Sequence, residues 1–400
     1  MNAALPRQRA ARPVPPLART AVWLLVGVVG WTYVVALGAQ MFATNPPTAG
    51  FDLELLLDAG RRIAAGQSPY DPALIAGAAV QAESLFYSYP PPVAQAFRLL
   101  TGIPSGVVLV GWAIGATAAL VVVGVAIARQ LGVARPWRVG LPLVAVAPFV
   151  FPYAVALLFG NLDAWFPALY GLLLIGALRP EGGGAATAGA ALAVAALAKL
   201  HPASLGLWFL ARGAAERRVV VAAALSAAAI VGASLVVGGL DPWRDYVAVV
   251  RAGMSADLVD PRNAGPAAQL GLALGLDGSA VRLAQAAMSL GALAVTAWAA
   301  RARRDPVESL GWAAAASLVT LPVTWFHYPA ALIPFAVAAV ARASSGEPAA
   351  RRRTFVLTAA AAVVAMAAIA VTPLLWVSVG LVLAGVRASA AGPAANDSAA

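Results

Sequence analysis

The sequence predicts an all-α polytopic membrane protein, and three observations carry that reading. First, 61% of the 400 residues are hydrophobic, 11% are charged, and the mean hydropathy is +0.82. A soluble domain carries about 25% charged residues. Second, apolar runs of roughly 14 to 23 residues recur from Thr20 to Val386, and a bilayer core takes about 20 residues of helix. Third, most of the arginines stand in short clusters between those runs, where topology determinants stand.

Twelve candidate spans follow in order: Thr20–Phe42, Val107–Ala128, Val139–Phe159, Ala164–Leu178, Ala185–Ala198, Pro202–Leu210, Val219–Gly239, Val281–Ala300, Val307–Leu321, Tyr328–Ala341, Thr354–Val371 and Pro373–Val386. The Pro202 run is too short to cross unless it extends into Ala211. Residues 1–19 read as a basic, Pro-rich cytoplasmic tail before an uncleaved first helix, 20–386 as the transmembrane domain, and 387–400 as a disordered cytoplasmic tail. Gly182-Gly183-Gly184 reads as a flexible turn; without a following Lys-Ser/Thr it is no phosphate loop.

Phe86–Thr101 decides the orientation. If it stays on one side, 19 of the 27 Lys+Arg face the cytoplasm and 8 lie outside, while 11 of the 17 Asp+Glu lie outside. If it crossed, every later arginine cluster would flip outward, against the positive-inside bias. It is therefore expected to be an external, re-entrant or interfacial helix, with both termini cytoplasmic. Two long external loops, 43–106 and 240–280, then hold most of the acidic residues.

The net charge of +10 comes from those topology clusters, so nucleic acid is not an expected partner. With no cysteine, thiolate metal sites, disulfides and thiol nucleophiles are excluded. No His-x-x-x-His or Glu-x-x-His pair is present, so neither a metal nor a cofactor is expected.

Candidate chemistry concentrates in the loops. Phe51–Arg62 reads as an amphipathic helix with Leu55, Leu56, Ala59 and Ile63 on one face, and Asp52 at its start as a capping carboxylate. Asp58 precedes Arg61 and Arg62 at i+3 and i+4, which suits a surface ion pair. Gly66-Gln67-Ser68-Pro69-Tyr70-Asp71-Pro72 ends the helix as a turn cluster. The only lysine, Lys199, and the only histidines, His201 and His327, all fall at external helix ends. Snorkelling and helix-end capping would account for them; so would a rim that binds a lipid-linked phosphate. Asn161 and Asp163 occupy a very short external turn, and Trp243, Arg244, Tyr246, Arg251, Arg262 and Asn263 mix aromatic and polar groups in the second long loop.

Read in order, Asp52-Leu53, Ala64-Ala65-Gly66-Gln67-Ser68-Pro69-Tyr70-Asp71 and Phe86 with Tyr89-Pro90-Pro91 resemble the first-loop signature of glycosyltransferase family 87. The resemblance continues through Gly160-Asn161-Leu162-Asp163, Ala198-Lys199-Leu200-His201-Pro202 and Leu321–Tyr328. It implies a GT-C type fold of about 12 transmembrane helices and a polyprenyl-phosphate-mannose-dependent α-mannosyltransferase, with the lipid-linked donor as co-substrate in place of a cofactor. It further implies Asp52 as catalytic base and His327 at the donor phosphate, with Lys199 and His201 beside it. Tyr89, Asn161, Asp163, Arg251 and Asn263 would bind substrate. Tyr328 stands where the family motif has a second His, and Thr324 where it has Ser. The expected partners are a polyprenyl-phosphate sugar, a lipid or glycan acceptor and membrane lipids, with the site on the extracytoplasmic side of the cell membrane. The alternative is a multi-pass transporter or flippase of lipid-linked envelope precursors; it would place ionisable residues near the bilayer midplane, where this chain has essentially none.

Overall fold

The computed structural model describes residues 16–45, 47–78, 80, 86–180, 183–253 and 258–390. Every regular element among them is helical. The expected tail residues 1–15 and 391–400, and the acidic residues Glu83 and Asp257, lie outside the described residues.

Each of the twelve apolar runs is built on helix. Four helices are long and apolar enough to cross a membrane: Leu17–Phe42, Ser105–Gln130, Ala214–Gly238 and Gly278–Ala302. A fifth candidate, Pro136–Phe149 with Phe151–Phe159, is bent by 77°. Shorter apolar helices cover Leu162–Leu178, Gly183–Ala198, Tyr328–Ser344 and Leu374–Ala390. Length and composition thus establish several membrane helices but not a count of twelve. The last helix runs through Arg387 to Ala390, past the boundary expected at 386. Gly183 and Gly184, expected as a turn, open the Gly183–Ala198 helix.

The outer surfaces of these helices are apolar. Val22, Leu24, Leu25, Val28 and Val29 are exposed on the first, and Val221, Leu225 and Val236 on Ala214–Gly238. A soluble monomer rarely leaves contiguous apolar surface of that extent bare, so these faces meet lipid. The interior is closed instead by aromatic and small side chains, with Trp208, Tyr170, Phe166, Phe209 and Phe335 essentially inaccessible among stacked alanines.

The Phe86–Thr101 stretch does not cross. Its helix covers only Pro91–Phe97, followed by a 3-10 turn at Arg98–Leu100. At 1.5 to 2 Å per residue this is about half of a 30 Å hydrocarbon core. It packs on the first-loop helix Phe51–Ala64 so closely that a Cβ on Gly60 would lie 2.8 Å from the Arg98 nitrogen. That packing sets the buried stripe of the first-loop helix at Leu53, Leu56, Leu57, Ala59 and Gly60, which keeps Leu56 and Ala59 of the expected face and leaves Leu55 and Ile63 half-buried at its edge.

The first-loop helix has matched ends. Asp52 and Glu54 stand in its first turn and Arg61 and Arg62 in its last, each sign opposing the nearer pole of the helix dipole. Gly66, at φ 72°, closes the C-terminus, and the Gln67 amide donates back to the Arg62 carbonyl at 2.9 Å. Arg62 then donates to the carbonyls of Ser68 and Tyr70, fixing the turn cluster that follows.

Candidate active site

Four segments distant in sequence meet at the ends of their helices. The first is the start of the first-loop helix. Its N-cap is Gly50, with no side-chain cap, so Asp52 is not the capping carboxylate the sequence suggested. Its Oδ2 instead accepts a hydrogen bond from Asn161 Nδ2 at 2.8 Å, and the side chain is half-buried.

The second segment explains how Asn161 reaches Asp52. The Phe151–Phe159 helix stops at Gly160, whose φ of 66° is the left-handed region a side chain resists. The Asn161 amide folds back onto the Ala156 carbonyl, and the Leu158 carbonyl accepts from the Gly50 amide at 2.8 Å. A Cβ on Gly160 would lie 2.6 Å from the Leu53 Cβ. The bare glycine is therefore what lets the two helix ends touch. Asn161 then caps the next turn, accepting from the Asp163 amide at 2.9 Å, while its own carbonyl accepts from the Trp112 indole.

Asp163 belongs to that turn, before the Phe166–Leu178 helix, and is 1% exposed. Lys199, just past the Gly183–Ala198 helix, donates to its Oδ2 at 2.5 Å with only 8% of the side chain exposed. Burial works against the carboxylate charge, but Lys199 and His327 together outweigh it and hold Asp163 below the usual carboxylate range. Burial likewise opposes the ammonium, and Asp163 again prevails, raising Lys199. Both stay ionised across the physiological range. The ammonium also sits 4.0 Å from the centre of the Tyr328 ring.

His327 completes the group. Its Nε2 is 3.0 Å from Asp163 Oδ2 but out of line for a hydrogen bond, so the contact is one of charge when the ring is protonated. Tyr89, half-buried in the first loop, lies within electrostatic reach of Lys199, Asp52 and Asp163. Burial is the main reason its phenol is raised above the ordinary value.

Several expectations need correction. His201 is not a cationic rim residue: it is 2% exposed, stacked between Phe166 and Tyr328, and burial pushes its pKa down to about 3. Its Nδ1 lies 3.5 Å from both Tyr170 and Ser317 hydroxyls, so it is a neutral part of the wall beneath the cluster. Asn263 is not poised for substrate. Its amide donates to the carbonyls of Leu258 and Pro322, and its oxygen accepts from the amides of Gly265 and Thr324. With its hydrogen-bonding capacity used internally, it clamps the second long loop onto the segment that carries His327. Arg251 is exposed at the end of the Asp241–Gly253 helix and takes no part in the contacts that join the cluster. Lys199 and Asp163 largely cancel, so the expected basic rim is a buried zwitterion with His327 beside it.

The sequence reading also passed over three participants. Gly160 makes the corner, Trp112 holds the Asn161 carbonyl, and the Tyr328 ring lies under the lysine and against His201. Sequence alone marks Tyr328 only as a departure from the family motif.

The family 87 glycosyltransferase model matches residues 87–324, more than half of the 400 residues. The chain belongs to glycosyltransferase family 87. The match contains Tyr89, Asn161, Asp163, Lys199 and His201; Asp52 and His327 lie beyond its ends and join the site through the contacts above. A search of curated proteins found no match. As a family 87 glycosyltransferase, the protein transfers a sugar from a donor to an acceptor, and the cluster is the candidate place for that transfer.

Proposed function

We propose that the chain is an inverting, polyprenyl-phosphate-sugar-dependent hexosyltransferase, most simply an α-mannosyltransferase, acting on a lipid-linked or cell-envelope glycan acceptor. It would do so at the extracytoplasmic face of the cell membrane, within a GT-C type bundle of about twelve spans. The observation that carries this reading is the half-buried Asp52 carboxylate, aimed by Asn161, beside a buried lysine and histidine.

Such a reaction asks little of the protein beyond one base and some cations. The acceptor hydroxyl oxygen attacks the anomeric carbon from the face opposite the phosphate, and Asp52 takes its proton. The bond from the anomeric carbon to the phosphate oxygen breaks, and its electrons leave on the polyprenyl phosphate. Lys199 spends one N–H on Asp163 and has two more; together with His327 Nε2 they can meet the charge that develops there. A β-linked donor gives an α-linked product. A lipid phosphate is already a good leaving group, so the arrangement needs no strong general acid.

The test is transfer from labelled polyprenyl-phosphate-mannose to candidate lipid acceptors in membranes containing the protein. Asp52→Asn should lower turnover by a factor on the order of 10²–10⁴ with donor binding largely kept. His327→Ala should weaken donor use by about 1.5–3 kcal/mol, the value of a hydrogen bond to a charged group. Near-normal turnover in a folded Asp52→Asn protein would remove Asp52 as the base.

A further inference from the structure

A concave site lies at the opposite end of the first-loop helix, which carries Asp52 in its first turn. It is a cleft of about 340 Å³ between the end of the first-loop helix, the Pro91–Phe97 helix with its 3-10 extension, and the 237–245 segment. That is within the range of about 300–1,000 Å³ typical of small-molecule sites. Its polar lining comprises Gln67, Ser68, Gln95, Arg98, Asp241 and Asp245.

The walls are fixed by bonds between distant segments. Ser68 donates to Asp245 Oδ2 at 2.7 Å across 177 residues of sequence. Gln95 donates to the Ser234 carbonyl at 3.1 Å, and the Trp243 indole donates to the Ser234 hydroxyl. Gln67, Arg98 and Asp241 are exposed at the rim; Asp241 is paired with Arg244 at 3.0 Å, which leaves Gln67 and Arg98 to meet an incoming ligand.

Charge and chemistry narrow that ligand. The lining carries one arginine against two aspartates, one of which is already paired with Arg244, so its charge is close to balanced and suits a neutral ligand. Carboxamides, a hydroxyl and carboxylates together both donate and accept hydrogen bonds, as a neutral polyhydroxylated chain requires. Position points the same way. Ile63, which lines the cleft, is 11 residues along one helix from Asp52, about 16 Å at 1.5 Å per residue. One rigid helix therefore separates the candidate base from the cleft by several sugar units.

We propose that this cleft is a remote acceptor subsite that binds a neutral oligosaccharide several units away from the hydroxyl being glycosylated. The proposal rests on the glycosyl-transfer reading for its purpose, but it is tested by binding alone. The full chain in lipid nanodiscs is titrated with α-linked mannotetraose, mannose and an anionic tetra-uronate, using microscale thermophoresis. The expected result is at least tenfold tighter binding of mannotetraose than of mannose, with the uronate weaker than mannotetraose. At exposed positions that do not threaten the fold, Gln67→Ala should weaken mannotetraose about three- to tenfold, the value of one neutral hydrogen bond, and Arg98→Ala, which removes a charged donor, about ten- to a hundredfold. Equal affinity for mannose and mannotetraose, or unchanged affinity in both variants, overturns the subsite. In transfer assays the variants should raise KM for tetrasaccharide-bearing acceptors relative to monosaccharide ones. If mannotetraose binds as expected but no polyprenyl-phosphate donor supports transfer, the donor chemistry falls and the cleft stands.

Discussion

Breaking the Asp163–Lys199 pair from one side should damage the protein far more than replacing both partners. The two groups are 2.5 Å apart with side-chain exposures of 1% and 8%. At an effective dielectric near 20, that separation gives an attraction of about 7 kcal/mol. Desolvation opposes it by several kcal/mol for each ion, so the intact pair contributes little net stability. Lys199→Met removes the attraction and leaves the carboxylate buried, a loss of about 3–5 kcal/mol. Asp163→Asn strands the ammonium with a similar penalty, whereas the double variant should recover most of the loss. The pH dependence separates this from a packing defect. In the wild type, Asp163 is held below its ordinary value of 3.8, so its contribution is present above that value and is lost only as pH falls below it. In Lys199→Met, burial acts on Asp163 with only His327 left to oppose it: the penalty is present at neutral pH and shrinks in acid as the carboxyl, or the histidine beside it, takes up a proton. Thermal unfolding in nanodiscs at pH 8, pH 5 and pH 3 reads both effects. Single variants as stable as the double, with a pH-independent gap from wild type, would refute the ion-pair account.

Two further outcomes follow from the same geometry. Gly160→Ala should cost about 1–2 kcal/mol for the left-handed backbone alone, and its Cβ, 2.6 Å from that of Leu53, should push the two helix ends apart and lose the Asn161–Asp52 bond. Turnover should therefore fall together with the melting temperature; a lower melting temperature with full turnover would show that this corner does not aim Asp52. His201, with a folded pKa of about 3 against an ordinary 6.5, takes up a proton more readily unfolded, so stability should be greatest above pH 6.5 and decline as pH falls toward 3. His201→Phe keeps an aromatic ring between Phe166 and Tyr328 and should flatten the part of that decline measured between pH 6.5 and 5; an unchanged slope in thermal melts would remove His201 as its source.

Much of this was legible in the sequence because membrane chemistry is written in composition. The apolar runs become helix one after another, and the short Pro-rich stretch at Phe86–Thr101 stays within the first loop. Asp58 forms the surface pair its spacing predicts, accepting from Arg61 at 2.5 Å. What local spacing did not carry was pairing across distance. Asp163 and Lys199 are 36 residues apart, and Asn161 and Asp52 are 109 apart. Nothing near Lys199 reveals that a carboxylate will meet it, so it read as a free cation at a rim. His201 misled for a related reason: a histidine beside a lone lysine looks like an accessible pair, yet the Pro202 turn sends its ring inward between two aromatics. Asn263 read as a sugar contact because only the fold shows that the backbone of 322–324 consumes its donors and acceptors.

The two carboxylates nearest the centre are separated by environment, and that separation argues which can act as base. Asp163 is sealed, bonded to an ammonium and held below the usual carboxylate range. A carboxylate so stabilised as an anion is a weak base, because taking a proton forfeits the attraction that keeps Lys199 charged. Asp52 meets no cation in the described contacts; it accepts one neutral amide hydrogen bond and remains half-buried. It can therefore gain a proton without breaking an ion pair, and an acceptor can approach it. Glu54 and Asp58, the other acids of that helix, are tied together through Arg61 on the exposed face. At about 100° per residue, Asp58 points some 120° away from Asp52, so it cannot share one hydroxyl with it. Asn161 links the two functions by accepting from the Asp163 backbone while donating to Asp52. The same short turn thereby sets the distance between the group that would take the proton and the group that would meet the leaving phosphate. On this argument the sensitivity of catalysis to substitution should follow the backbone of residues 160–163 as closely as it follows the charged side chains.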